Sequence, residues 1–380
     1  MELQDLAGRL IGFNTVSPES STVEMADFIS NYLEPLGFTI ERYPYISRGT
    51  RQVNLVARKG GEKSFLALAG HMDTVPFQAS DWSMTRDPLK LVRRSDKFYA
   101  RGVSDMKLFL AMAMRAGESI PTATLKKPFA LVFTSEEEIG CIGARKLVRE
   151  QKVHLGEYVV IGEPTEMVPV HLHKGYMYII VELRGEKGHS SDPRKGKNVI
   201  ELALPTVLNH LLIFQKKLES TLDRRFDPPY STMNIGAIST PHGAKNIVPS
   251  YCRIELDIRP MPGQNPDDLF SILKAYVEHG LYEMTGIKVK VSFGRKPSPP
   301  METTDESLFM QTIRDISGKN PIAVSFNTEG GIFNEGGCSS VIWGPGSIRQ
   351  AHRSDEFVTA KYLEESMIEQ YTTLIRRLCC

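Results

Sequence analysis

The chain lacks the features that would place it in a membrane or on a nucleic acid. Its 380 residues include no apolar run near the roughly 18 residues of a membrane span. Lys and Arg number 46 against 45 Asp and Glu, so the formal net charge is +1, with neither a basic block nor an acidic tail. This balance gives no electrostatic reason to expect a nucleic acid or an anionic membrane as a partner.

Cysteine is also scarce, and no C-x-x-C pair is present. The five cysteines are Cys141, Cys252, Cys338, Cys379 and Cys380. Such an odd and sparse set predicts buried or incidental thiols in a reducing compartment. The first residues, MELQDLAGRLIGFNT, show early acidic residues and helical spacing instead of a signal peptide's basic start. We therefore expect a cytoplasmic protein.

The composition is that of a globular protein, with 41% hydrophobic and 24% charged residues, at a length that favours two domains. In the first part of the chain, short apolar runs alternate with helical patterns, which is typical of a mostly parallel α/β sheet. The predicted strands are 53–58, 64–70, 128–134 and 158–164, and the predicted helices are 105–119 and 141–151.

The pattern changes after Gly175. Residues 176–293 follow the order strand, helix, strand, strand, helix, strand, which predicts a ferredoxin-like sandwich. From about Pro297 the α/β pattern resumes and ends in an amphipathic helix. The predicted fold class is therefore α/β, with a mostly parallel sheet built from residues 1–174 and 297–380. A smaller ferredoxin-like domain is inserted at 175–296.

Ligand-type side chains follow the predicted strands or begin a helix. His71 and Asp73 lie two residues apart at a strand end, where alternate residues point to the same side. Each such position has an ordinary structural explanation when taken singly, such as a helix cap or a solvated acidic turn. Because ligands bind beyond the carboxyl ends of parallel strands, we expect these side chains to converge. They are His71, Asp105, Glu136–Glu138, Glu163 and His352.

Histidine and carboxylate ligands of this kind suit hard-to-borderline divalent cations. Two ions that share one bridging carboxylate would use one Asp, two Glu and two His. A pair of ions about 3.5–4 Å apart is a hydrolytic arrangement. The sequence therefore predicts a two-metal hydrolytic site without thiolate ligands.

Seven motifs then point to a family. GHMDTVP, GVSDMK, TSEEEIG, IGEPT, GHSSDP, DIRPMPG and GPGSIRQAH occur in this order over nearly the whole chain. In order and spacing they resemble the di-zinc amidohydrolase and exopeptidase family, peptidase family M20. Within that family, the motifs IGEPT, HKG, GHSSDPRKGKN and GPGSIRQAH look most like the acetylornithine deacetylase group.

The resemblance implies a role for each ligand. Asp105 matches the carboxylate that bridges two divalent ions, expected to be zinc, for which cobalt can substitute. His71 and Glu163 would hold one ion, and Glu138 and His352 the other. The peptide bond after Asp105 is expected to be cis, because relatives use that geometry to aim the bridging carboxylate.

Four further matches concern catalysis and substrate. Glu137 matches the general base, and Asp73 matches the carboxylate that orients a metal-binding histidine. His189, in the inserted domain, matches the histidine that stabilises the oxyanion. Arg259 matches the arginine that binds the substrate α-carboxylate through a two-pronged ion pair.

The expected substrate is a small N-acyl amino acid, namely N-acetyl-L-ornithine, hydrolysed to acetate and L-ornithine in arginine biosynthesis. Asn246 and the loop 344–347, which contains Gly346, are expected to add donors, and Glu329 to accept the substrate's side-chain ammonium. The inserted domain is expected to act as a lid and to form a homodimer, in which His189 reaches the partner's metal site. An edge strand and a helix face would be available for this pairing.

Two departures from the family pattern bear on these expectations. Glu136 stands where relatives usually carry Asp, and NTEGG (327–331) has a small Gly-Gly where close relatives carry a bulkier continuation. The alternatives that remain open are a succinyl-diaminopimelate desuccinylase, an aminoacylase and a metal-binding homologue without catalysis. A desuccinylase needs an additional cation for the acyl carboxylate. The presence of Glu137 disfavours the non-catalytic homologue.

Overall fold

The computed structural model describes residues 1–240 and 245–380. The chain forms two compact units, one from residues 1–172, 301–322 and 328–380, and one from residues 173–300 and 323–327. The sequence predicts boundaries at 174/175 and 296/297, which lie two and four residues from those of the structure, and does not anticipate that 323–327 joins the second unit. Within the described ranges, no helix is long and apolar enough to cross a membrane.

The regular elements are numbered in chain order. The strands are β1 (Thr39–Ser47), β2 (Thr50–Lys59), β3 (Leu66–His71), β4 (Val92–Arg94), β5 (Lys97–Tyr99), β6 (Phe129–Thr134), β7 (Tyr158–Pro164), β8 (Val170–His173), β9 (Met177–Arg184), β10 (Thr232–Ser239), β11 (Tyr251–Arg259), β12 (Lys288–Phe293), β13 (Met301–Glu302), β14 (Ile322–Val324), β15 (Ser339–Gly344) and β16 (Phe357–Thr359). The α-helices are α1 (Leu3–Ile11), α2 (Val23–Leu33), α3 (Lys107–Glu118), α4 (Ile142–Arg145), α5 (Val199–Leu202), α6 (Leu204–Glu219), α7 (Pro266–Glu278), α8 (Leu281–Thr285), α9 (Leu308–Ser317), α10 (Gly330–Glu335) and α11 (Glu365–Cys379).

The large sheet has the strand order β1-β2-β6-β3-β7-β15-β8-β13, with β14 beside β8. Strands β6, β3, β7 and β15 form a parallel centre, while β1 and β2 extend it in antiparallel fashion. Parallel strands are buried on both faces, which is why β3 and β6 are continuous apolar runs with every residue buried or nearly so. This confirms the predicted α/β fold class.

Helices cover both faces of the parallel centre. Residues of α1, α2, α3, α9 and α11 form one apolar cluster with the sheet, and residues of α4 and α10 form a second. The close approach of α3 to β7 depends on Gly162, because a Cβ there would overlap the ring of Phe109. The absence of a side chain at this position lets helix α3 pack directly beside the strand end that carries Glu163.

The second unit contains a four-stranded antiparallel sheet of order β10-β11-β9-β12. Buried and half-buried residues alternate along β9 and β11, as expected when only one face of a sheet packs on helices. Apolar residues of α5, α6, α7 and α8 cover that face. The chain order β9-α-β10-β11-α-β12 is the ferredoxin-like arrangement that the sequence predicts.

Candidate metal centre

The parallel centre of the sheet brings the predicted ligands to one edge. His71 is the last residue of β3 and pairs in register with Thr134, the last residue of β6, so Glu136–Glu138 follow directly beside it. Glu163 is the penultimate residue of β7, which is parallel to β3. The carboxyl ends of these strands therefore present their side chains to the same space.

Two groups of three residues each bring their ligand atoms within 4.8 Å of one another. One consists of His71, Asp105 and Glu138, and the other of His71, Glu137 and Glu163. The Nε2 atom of His71 lies 3.7 Å from Glu163 Oε1, and His352 Nε2 lies 2.9 Å from Glu138 Oε2. The structure thus gathers all five predicted ligands, together with Glu137.

Asp105 stands between two histidines. Its Oδ1 lies 3.0 Å from His71 Nε2, and its Oδ2 lies 3.4 Å from His352 Nε2. Each carboxylate oxygen therefore faces a different histidine, which is the geometry that a carboxylate shared by two cations requires. The peptide bond between Asp105 and Met106 is cis, which confirms the expectation for this bond.

The histidines of the cluster hold their protons tightly in the metal-free protein. Hydrogen bonds to Asp105 and Glu138 raise the pKa of His352 to about 10. Burial acts to lower the pKa of His71, but the hydrogen bond to Asp105 and the charge of Glu163 outweigh it and raise that pKa well above its usual value. Burial acts to raise the pKa of Asp105, but hydrogen bonds from His352 and His71 outweigh it and lower that pKa.

Unlike Asp105, the glutamates of the cluster have raised pKa values. Burial raises the pKa of Glu138 to about 8, and the negative charge of Asp105 adds to the shift. Burial and the Asp105 charge likewise raise the pKa of Glu163 well above its usual range. Burial also raises the pKa of Glu137, although the positive charge of His71 opposes the shift. The site retains protons because it concentrates carboxylates away from water, and a bound cation would replace those protons.

Asp73 differs in part from its predicted role. The nearer partner of His71 Nδ1 is the main-chain carbonyl of Asp73, at 3.0 Å, while the carboxylate Oδ1 lies 3.6 Å away. The Asp73 carboxylate instead accepts hydrogen bonds from the amides of Glu137 and Glu138 and from the hydroxyl of Ser17. The Asp73 carboxylate therefore fixes the backbone of the acidic turn, while the Asp73 main-chain carbonyl orients the His71 imidazole.

Glu136 is buried and has a left-handed backbone with φ 58°. Asp and Asn adopt this region more readily than Glu, because their short side chains can hydrogen-bond locally. The left-handed backbone is therefore a physical reason to expect Asp in place of Glu at this position.

In the second unit, His189 is exposed, and its Nδ1 accepts a hydrogen bond from the Ser191 amide at 3.1 Å. With Nδ1 as acceptor, the neutral ring carries its proton on Nε2, which is then a hydrogen-bond donor. The main-chain carbonyl of Asn246 accepts from Ser190 in the same loop. Arg259 forms a two-pronged ion pair with Asp257, at 2.8 and 3.0 Å.

Two residues predicted to contact the substrate lie within the first unit, where each makes an internal hydrogen bond. Glu329 is only 1% exposed, and its Oε2 accepts a hydrogen bond of 3.0 Å from Thr134. The main-chain carbonyl of Gly346 accepts from the Glu166 amide at 2.7 Å. Burial leaves Glu329 little surface for a substrate ammonium, although its Oε1 has no hydrogen-bond partner among the described residues. The loop 344–347 is tied to the segment after Glu163.

Sequence reasoning missed one prominent residue of this region, Glu356. It is fully buried and accepts hydrogen bonds from the turn that leads to Asp105. The surrounding sequence, HRSDEF, has the composition of a solvated loop. No apolar pattern marks this glutamate as buried.

Comparison with protein-family models matches residues 67–378 to Peptidase family M20/M25/M40. The chain belongs to this family and is a hydrolase, which confirms the resemblance found in the motifs.

Two similar curated proteins are acetylornithine deacetylases. That of Myxococcus xanthus is 35% identical over 360 residues, which cover 93% of this chain and 92% of that protein. That of Pasteurella multocida is 34% identical over 363 residues, covering 95% and 92%. A tripeptidase structure from Staphylococcus aureus superposes with a TM-score of 0.75 at 20% identity, covering 99% and 98% of the two chains, and shares the fold. Family and relatives together support metal-dependent hydrolysis of an amide bond.

Glu329 gives a testable pH dependence of stability. Burial raises its pKa from 4.5 to about 8, and the charge of Glu137 adds to the shift. A carboxyl group whose pKa is higher in the folded state than in the unfolded state destabilises the fold once it must ionise. The free-energy cost is absent below the unfolded pKa, about 4.5, and complete above the folded pKa, about 8. In chelator-treated protein, we expect the melting temperature of Glu329→Gln to rise relative to the wild type as the pH increases across this window.

Glu335→Gln, at the other end of helix α10, which Glu329 directly precedes, is the control, because the Glu335 side chain is 43% exposed. Its melting temperature should follow the wild-type pH profile. A constant offset between Glu329→Gln and the wild type at all pH values would contradict the expectation.

Proposed function

We propose that this hydrolase uses two divalent metal ions to cleave the amide bond of an N-acyl amino acid, with N-acetyl-L-ornithine as its substrate. The observation that carries the metal part is Asp105, whose two oxygens face different histidines at 3.0 and 3.4 Å. The substrate part rests on the similarity to two acetylornithine deacetylases over more than nine-tenths of the chain. Four buried or nearly buried thiols and no disulfide among the described cysteines agree with a cytoplasmic location.

The side chains present fit two cations. His71 and Glu163 would hold one ion, Glu138 and His352 the other, and Asp105 would contact both. Oxygen and imidazole ligands suit zinc, and cobalt can take the same ligands. Ions bound there would lower the pKa of a water molecule and polarise the carbonyl oxygen of the amide.

Glu137 is the proposed general base. Burial raises the pKa of its carboxyl group, which favours an acid–base group that both takes up and releases a proton near neutral pH. Glu137 would take a proton from the attacking water as the oxygen–carbon bond forms. It would return the proton to the nitrogen as the carbon–nitrogen bond breaks, giving acetate and the free amine.

Two residues of the second unit complete the proposal. His189 would donate from Nε2 to the oxyanion, since the Ser191 amide occupies Nδ1. Arg259 would bind the substrate α-carboxylate, with Asp257 holding the guanidinium in place. A fixed guanidinium loses little freedom when it binds a planar carboxylate.

A substitution of Glu137 separates the role of the base from that of the metal ligands. Glu137→Gln should lower kcat by about 10²–10⁴-fold, because the amide cannot accept a proton. Elemental analysis should still find two divalent ions per chain. Glu150→Gln, the same substitution at an exposed position, should leave both measurements unchanged. Substantial activity in Glu137→Gln, or a fully active wild type with trace metal only, would argue against the mechanism.

One observation favours the desuccinylase as the second candidate. Arg259 and Arg295 both lie over the ring of Tyr176, with guanidinium carbons 4.4 and 4.2 Å from the ring centroid. Arg295 is exposed and lies at the end of β12. A second guanidinium this near to Arg259 would be the additional cation that the acyl carboxylate of a succinyl substrate needs.

The two arginines allow a direct test of substrate class. Arg259→Lys should lower kcat/KM for N-acetyl-L-ornithine by tenfold or more, since losing one charge-assisted hydrogen bond costs about 1.5–3 kcal/mol. Arg295→Met should leave that value unchanged. A wild type that prefers N-succinyl-diaminopimelate, and loses this preference in Arg295→Met, would identify a desuccinylase instead.

We further propose a homodimer formed through the second unit. Strand β10 is an edge strand of the small sheet, and helix α6 packs beside it. Leu212 and Ile213 of α6 are 52% and 44% exposed, and Ile238 of β10 is 46% exposed. An unpaired strand edge beside exposed apolar side chains is a surface that a second copy can cover.

A complementation experiment tests both the dimer and the cross-subunit role of His189. Light scattering should give the mass of a dimer for the wild type. His189→Ala and Glu137→Gln should each be inactive alone, but mixed dimers should regain activity, because one site then has both residues intact. A fully active monomer would contradict the dimer, and inactive mixed dimers would place His189 at the site of its own subunit.

A further inference from the structure

Glu356 is a buried carboxylate that none of the proposed roles uses. It lies immediately before β16 and four residues after His352, with no exposed surface. An ionised side chain in such a place requires compensating donors. All four of its donors come from one short turn, residues 101–105.

The two carboxylate oxygens divide these donors evenly. Oε1 accepts from the amides of Ser104, at 2.7 Å, and Asp105, at 3.1 Å. Oε2 accepts from the Gly102 amide, at 3.0 Å, and from Arg101 Nη1, at 2.8 Å. Three amides and a guanidinium that converge on one carboxylate form a built anion site, and its last amide belongs to the proposed bridging ligand.

A second set of contacts joins the same two segments. The main-chain carbonyl of Glu356 accepts from the Ala100 amide at 3.2 Å. The hydroxyl of Ser104 accepts from the Ser347 amide at 3.2 Å and lies 3.3 Å from the Ser347 carbonyl. The turn that carries Asp105 is therefore hydrogen-bonded to the segment that contains His352, both before this histidine, at Ser347, and after it, at Glu356.

We propose that Glu356 is a positioning residue that fixes the Asp105 turn against the His352 segment, so that Asp105 offers one oxygen to each cation. The inference rests on the proposed two-metal function. A ligand shared by two ions tolerates a displacement of only about 0.5 Å, so the backbone that carries it must be held. Hydrogen bonds behind a ligand commonly change metal affinity by about 10–100-fold when removed.

Glu356→Gln is the informative substitution, because it keeps the size of the side chain and removes the charge. The carboxamide has one acceptor oxygen, and its NH₂ group would face the Gly102 amide or Arg101, which are themselves donors. The turn then loses at least one hydrogen bond, while the volume of the buried site is unchanged.

The neighbouring residue supplies a matched control. Asp355 accepts three hydrogen bonds from a different turn, from the Ser83 amide and hydroxyl and the Met84 amide, at 2.9, 2.6 and 2.9 Å. That turn contains none of the proposed ligands. Asp355 has a left-handed φ of 54°, which Asn also adopts, so Asp355→Asn makes the same chemical change one residue away.

The experiment measures zinc binding to the metal-free protein by competition with a chromophoric chelator, and hydrogen exchange of residues 83–84 and 100–106 by mass spectrometry. Glu356→Gln should bind at least one of the two ions about 10–100-fold more weakly and exchange faster at 102–105. Asp355→Asn should bind zinc as the wild type does, and exchange faster only near residues 83 and 84. In turnover assays, Glu356→Gln should lower kcat more than it changes KM.

Wild-type zinc affinity in Glu356→Gln, or an equal loss in Asp355→Asn, would overturn the positioning role. If Glu356→Gln does not fold, Glu356→Asp decides the question. This variant keeps the charge on a shorter side chain and should show weaker zinc binding at a nearly unchanged melting temperature. Failure of the proposed function is distinguishable, because the wild type would then bind zinc with the predicted dependence on Glu356 and hydrolyse no N-acyl amino acid.

Discussion

The structure depends on holding several carboxylates together in a space from which water is largely excluded. Asp105, Glu137, Glu138 and Glu163 converge there with His71, and burial of so much negative charge is costly unless cations or protons compensate it. The raised pKa values of the glutamates express that cost in the metal-free protein. Two divalent ions would relieve it, so metal binding and the integrity of this region are coupled.

Two carboxylates that are not proposed ligands hold the backbone of those that are. Asp73 accepts the amides of Glu137 and Glu138, and Glu356 accepts the amide of Asp105 and those just before it. In both cases a buried carboxylate binds main-chain donors of a turn, so the ligand's side chain stays available. The positions of the ligand atoms thus depend on acceptors placed elsewhere along the chain, before the acidic turn and after His352.

The arginines proposed to select the substrate lie in a different kind of environment. Arg259 and Arg295 lie over Tyr176 on the second unit, where side chains are partly or fully exposed and interactions are screened by water. If these roles hold, hydrolysis and substrate selection would change independently of each other. Under the proposed function, a change at Arg295 would alter which acyl group is accepted without moving the carboxylates proposed to carry out hydrolysis.

The amino-acid sequence by itself determined the buried parallel strands, because β3, β6 and β7 need continuous apolar runs, and the ligand types at their ends. It did not reveal β1, a polar edge strand containing Pro44, or the break between α5 and α6 at Ala203. Only the tertiary structure decided how Asp73, Glu329 and Glu356 are used. Each of these carboxylates finds its partners through contacts between residues distant in sequence, and local composition does not encode such hydrogen bonds.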